Sequence, residues 1–104
     1  MDDKTMLELA ARAAGLHFQW GREWHDKDQP QVHGRYWNPL TDDGDALRLA
    51  VRLRMHVLIG EQVVTAVYDA GHSRTEDVAS DRLAATRRAI VRAAAEIGKG
   101  MGVG

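Results

Sequence analysis

Five groups of residues have the types and spacing to do chemistry. His17, His33 and His56 sit in β-rich runs, and neutral imidazole is the commonest protein ligand for zinc. No two of them share the short local spacing of a metal motif, so half-buried strand histidines explain them better than a zinc site. Asp42, Asp43 and Asp45 gather carboxylate oxygens that suit a hard cation. They lack the alternating ligands of a calcium loop and precede an apolar helical run, where acids cap orphan amides and favour the positive end of the dipole. Capping is the reading adopted, and no metal or cofactor is assigned. Arg87 falls within a turn of Leu83 and Ile90 on an apolar stripe, where an unpaired guanidinium is costly. A structural partner is expected among Asp42, Asp43 and Asp45.

The remaining groups point to binding. Trp24 is flanked by Arg22, Glu23, His25 and Asp26 in a stretch with no burial pattern, which makes Trp24, Arg22 and His25 the candidate contacts for a protein partner. Arg82, Arg88 and Arg92, with Lys99, recur along the last helical run and could contact nucleic-acid phosphates; Asp81 and Glu96 interrupt that patch. Trp20 and Trp37 are expected in the core. The chain has no GxSxG elbow, no phosphate loop, no cysteine to pair with a histidine and no convincing carboxylate pair. It reads as non-catalytic, and no catalytic residue is assigned.

The elements that must position these groups follow from periodicity. Met6, Leu9, Ala10 and Ala13 recur at helical spacing between Asp2 or Asp3, as caps, and Gly15, as terminator. Residues 16–20 alternate as a strand, residues 21–30 read as a mobile hairpin loop, and residues 31–37 form a weaker second strand. A second helix starts near Asp42. Its Ala46, Leu47, Leu49, Ala50, Val51 and Leu53 cover more than half the circumference, which predicts deep burial. Residues 55–59 and 62–68 are strands joined at Gly60-Glu61 by a two-residue turn, with apolar residues on both faces that call for helices on each side. Residues 69–79 read as a loop. Ser80-Asp81 then starts a helix to Ile97 with Leu83, Ile90, Ala94 and Ile97 inward, and Gly98, Gly100, Gly102 and Gly104 end it. The expected fold is α+β, a three-layer α-β-α sandwich around a mainly antiparallel sheet of about four strands, in the order αββαββα. Residues 1–97 make one domain and residues 98–104 a flexible glycine-rich tail.

Composition narrows the setting. At 104 residues the chain is one domain's worth, and with no cysteine it depends on packing alone. Fourteen Lys plus Arg against fifteen Asp plus Glu leave a formal charge of −1, which removes the global basic field common among nucleic-acid binders. No apolar run nears the ~20 residues of a membrane span, and the acidic start lacks the pattern of an export signal. A soluble, cytoplasmic protein with no membrane partner is expected.

The string Trp37-Asn38-Pro39-Leu40-Thr41-Asp42-Asp43-Gly44-Asp45-Ala46-Leu47-Arg48-Leu49-Ala50-Val51 resembles the phage ABA-sandwich domain family, small temperate-phage and prophage proteins of unknown function. The block Leu83-Ala84-Ala85-Thr86-Arg87-Arg88-Ala89-Ile90-Val91-Arg92-Ala93-Ala94-Ala95 is similar to that family's last helix. A fainter similarity, in the Asn-Pro element followed by a hairpin and a closing helix, extends to NinX-like accessory proteins of lambdoid phages. The resemblance implies a fold and a bacterial host, and it brings no catalytic or ligand residues. The functional expectation is a phage or prophage accessory protein that binds a host or phage protein, with homo-oligomerisation as a variant. The alternative is a nucleic-acid-binding accessory protein using the basic face of the last helix.

Overall fold

The last helix organises the molecule, because it is apolar on two opposite sides. In the computed structural model, which describes residues 1–22, 28–69 and 71–101 and gives only the backbone of Arg22 and Asp28, this helix is α3, Arg82–Met101. Ala85, Ala89 and Ala93, four residues apart, join Val64, Ala66, Tyr68 and Val78 in one core. Ile90, Val91, Ala94 and Ala95 face the other way, into a core with Met6, Leu7, Ala10 and Ala11 of α1 (Asp3–Ala13) and Ala46, Leu49 and Ala50 of α2 (Asp43–Arg52). Alanines at these positions let the neighbouring backbones come close.

The helices start and stop as local chemistry dictates. Asp2 accepts from the Thr5 amide at 2.8 Å, and Asp42 from the Asp45 amide at 2.7 Å. At the end of α1, the amides of Gly15 and Leu16 donate to the carbonyls of Arg12 and Ala11. The same pair of hydrogen bonds closes α2, where the Arg54 and Met55 amides donate to the Val51 and Ala50 carbonyls. Arg54 holds the left-handed conformation there, at φ 56°, without being glycine.

The strands form two antiparallel sheets, so the protein is α+β but has no single four-stranded layer. β1 (Phe18–Arg22), β2 (Asp28–Val32) and β3 (Arg35–Tyr36) make the N-terminal sheet. The expected second strand at 31–37 is broken, because His33 and Gly34, at φ 54° and 78°, turn the chain in a two-residue hairpin that pairs Val32 with Arg35. β2 also begins earlier, at Asp28, opposite Arg22. Residues 23–27, half of the expected 21–30 loop, lie outside the described residues, and the described other half is strand, in β1 and β2.

β4 (His56–Ile59), β5 (Val63–Tyr68) and β6 (His72–Asp77) make the central sheet. β6 replaces the expected loop at 69–79. Its sequence, His-Ser-Arg-Thr-Glu-Asp, carries no apolar period because it is an edge strand held by the ladder to β5. The hairpin before it turns one residue later than expected. The Gly60 amide donates to the Val63 carbonyl at 2.9 Å, so Glu61 and Gln62 make the turn. α3 covers the face of this sheet that bears Val64, Ala66 and Tyr68. The opposite face, with Leu58, Thr65 and Val67, carries no helix among the described residues, which corrects the expected three-layer sandwich: helices pack on one side of the sheet only.

Two further expectations are corrected. α3 does not end at Ile97; Gly98 continues it to Met101, with residues 102–104 outside the described part. Leu83, expected inward on α3, is 60% exposed. No described helix is long and apolar enough to cross a membrane.

Candidate functional site

The residues singled out in the sequence scatter. Trp24 and His25 lie outside the described residues, and Arg22 ends β1 with its side chain undescribed. His17 and His33 meet across the N-terminal sheet with rings stacked 6.4 Å apart, whereas His56 belongs to β4 in the other sheet. Among the described residues no three histidines or carboxylates gather to hold a metal ion.

The acidic cluster is consumed by structure. Asp42 caps α2, Asp45 accepts the Asn38 amide at 3.0 Å and Arg48 at 2.8 Å, and Asp43 pairs with Arg87 at 2.5 Å. Arg87 also donates through Nε to the Leu40 carbonyl at 2.9 Å. The expected partner is therefore found. Together these bonds tie the turn at Asn38-Pro39-Leu40 to the start of α2 and to the second turn of α3.

The three arginines of α3 expected to meet phosphates are occupied as well. Arg88 pairs with Asp3 at 3.0 Å and reaches Glu76 at 3.8 Å, Arg92 pairs with Glu76, and Arg82 donates to the carbonyls of Gly60 and Glu61 at 3.2 Å each. Arg88 and Arg92 thus converge on one carboxylate, while Arg82 braces the β4–β5 hairpin. A phosphate would have to compete with these partners.

Sequence reasoning missed the most distinctive surface. The wide apolar arc of α2 is not fully covered: Ala46, Leu49 and Ala50 are buried, but Leu47 is 64% and Val51 68% exposed. Beside them a groove of about 600 Å³ is lined by Leu16, Val32, Trp37 and Leu49, with Leu47, Val51, Arg48 and Arg52 also on its walls. The aromatic part of the groove is pre-set, because Trp37 is 7% exposed and meets Phe18 edge-on at 5.9 Å, and Phe18 meets Trp20 in the same way at 5.1 Å. Trp20 itself is half-buried, donating to Glu8 at 2.6 Å beneath the Lys4 ammonium. Arg52 is anchored through Nε to the Ala14 carbonyl at 2.5 Å. Arg48 is already paired with Asp45, whereas Arg52 has no carboxylate partner among the described residues, so this apolar groove beside the Arg52 charge has the chemistry to hold apolar side chains next to an acidic one. The usable signal was the width of the α2 arc, which exceeds what one packing face can cover.

Compared with protein-family models, curated proteins and solved structures, the chain matches none.

Proposed function

We propose that the chain is a non-catalytic protein-binding module that takes an apolar, acid-flanked segment of a partner protein in the groove between α2 and Trp37. The observation that carries this reading is the exposed Leu47–Val51 ridge beside a preformed aromatic floor and the Arg52 guanidinium. Exposed large aliphatics arranged contiguously on a small domain mark an interaction site more than scattered ones do. The ion pairs of Arg88 with Asp3 and of Arg92 with Glu76 weigh against the nucleic-acid alternative. Read with the resemblance of residues 37–51, the partner would be a host or phage protein and the chain an accessory protein of a temperate phage or prophage, acting in the bacterial cytoplasm.

The test is selection from a random peptide library on the immobilised full chain, followed by titration of the enriched peptides. Enriched sequences should combine apolar residues with Asp or Glu, and Val51→Asp should weaken their binding by about tenfold or more, the usual scale for disrupting one apolar contact centre. Enrichment of no peptide class, or affinity unchanged by Val51→Asp, would sink the proposal.

A further inference from the structure

The two edges of the central sheet are treated differently. Antiparallel pairing alternates residues that bond to a neighbour with residues that do not. The bonds from Gly60 to Val63 and from Val78 to Gln62, each 2.9 Å, set that alternation: His56 and Leu58 bond to β5, while Val57 and Ile59 turn their N–H and C=O groups outward. Among the described residues no hydrogen bond reaches those outward groups. The other edge, β6, is blunted by Arg74, Glu76 and Asp77, and the Arg74 guanidinium covers the Ser73 carbonyl at 2.8 Å. β4, His-Val-Leu-Ile, has no Lys, no Pro and no acid to repel another strand.

The geometry points to a two-fold homodimer in which β4 pairs antiparallel with β4 of a second copy, joining two central sheets into one of six strands. With Leu58 facing its counterpart, Val57 of each copy stands opposite Ile59 of the other. All four outward backbone groups of each copy are then paired. Parity restricts the register: residues directly opposite must share a face, so Val57 cannot oppose Leu58 of the partner.

Charge and exposed apolar side chains both favour a second copy over another partner. Arg54 precedes β4 and Glu61 follows it, and neither side chain has an ion-pair partner among the described residues. Antiparallel self-pairing centred on Leu58 sets Arg54 of each copy opposite Gln62 of the other and one residue from Glu61, beyond the strand ends, where Arg54 at φ 56° has left the alternation of faces, twice over by symmetry. Leu58, Ile59 and Leu83 are each about 60% exposed, and Ile59 and Leu83 line one hollow of about 280 Å³ where α2 and α3 meet β4. Pairing the two edges brings these exposed apolar side chains toward the second copy on both faces of the joined sheet and removes part of them from water.

Sedimentation of the full chain tests this independently of peptide binding, since Val51→Asp addresses the groove and the substitutions here address the strand edge. Dimerisation is expected across about 5–200 µM, with Ile59→Lys and Glu61→Arg each weakening it at least about tenfold and Arg54→Glu combined with Glu61→Arg restoring it to within about threefold of wild type. Thermal melting of each variant confirms that it folds. A wild-type chain that is monomeric throughout the range, a dimer indifferent to Ile59→Lys, or a Glu61→Arg defect that the double reversal leaves unrepaired would overturn the proposal.

Discussion

Gly98 of α3 rests directly on the Leu9 carbonyl of α1: a Cβ built on Gly98 would lie 1.9 Å from that oxygen. Asp3 meets Arg88 and Leu9 meets Gly98, so the two helices run in the same direction along a seam of small residues. Gly98→Ala would gain helix propensity of about 1 kcal/mol, yet it forces a backbone apart, and overpacking of this kind costs about 1–3 kcal/mol or more. Net destabilisation is expected in denaturant titration. Gly100→Ala is the control, because nothing lies within 4 Å of its added Cβ. There the propensity gain should stand alone, and equal effects at both positions would refute the close approach.

Arg87 and Asp43 differ in exposure, 17% against 59%, and their substitutions should differ accordingly. Arg87→Met leaves the Leu40 carbonyl without its donor and should cost about 1–3 kcal/mol, whereas Asp43→Asn removes a largely solvated charge and should cost at most about 1 kcal/mol. Chemical denaturation of both variants, closed as a double-mutant cycle, measures the coupling. A larger loss from Asp43→Asn would show that the ion pair, rather than the carbonyl contact, holds the turn.

Glu76 restrains two guanidinium groups at once, Arg88 and Arg92, with its own side chain 15% exposed. Glu76→Gln should lower stability by roughly 1–2 kcal/mol and free Arg92 for external anions, while Arg88 keeps its pairing with Asp3. Heparin or a short duplex should bind the variant several-fold more tightly than wild type at low salt, with the gain lost as salt rises. Tight, salt-sensitive duplex binding already present in wild type and abolished by Arg88→Ala would instead support nucleic acid as the partner.

Asp2 should titrate below its ordinary value of 3.8, because the Thr5 amide bonds the ionised carboxylate most effectively and the N-terminal and Lys4 charges assist. A folded-state value lowered in this way means that the cap contributes stability above the unfolded pKa and loses it as pH falls through the folded one. The Thr5 amide resonance, followed by NMR through acid pH, should move with a midpoint below 3.8, and Asp2→Ala should abolish that movement. A midpoint at or above the ordinary value would remove the cap from solution.

What the sequence by itself determined is local. The starts of all three helices, the cap at Asp42, the stop at Gly15 and the search for an Arg87 partner among three neighbouring aspartates were legible because capping and helix termination act over three to five residues. Tertiary structure alone decided the rest. Nothing local says that His33-Gly34 turns the chain instead of continuing a strand, or that the polar run at 72–77 pairs with β5, since both depend on a neighbouring strand to take their hydrogen bonds. Gly98 looks like a terminator until Leu9 lies against it. The apolar arc of α2 was readable as an arc, but which part of it meets α3 and which part is left as Leu47 and Val51 is set by packing between residues far apart in the chain. The candidate site lies in that uncovered part, and coverage is a property of the assembled layers that no periodicity records.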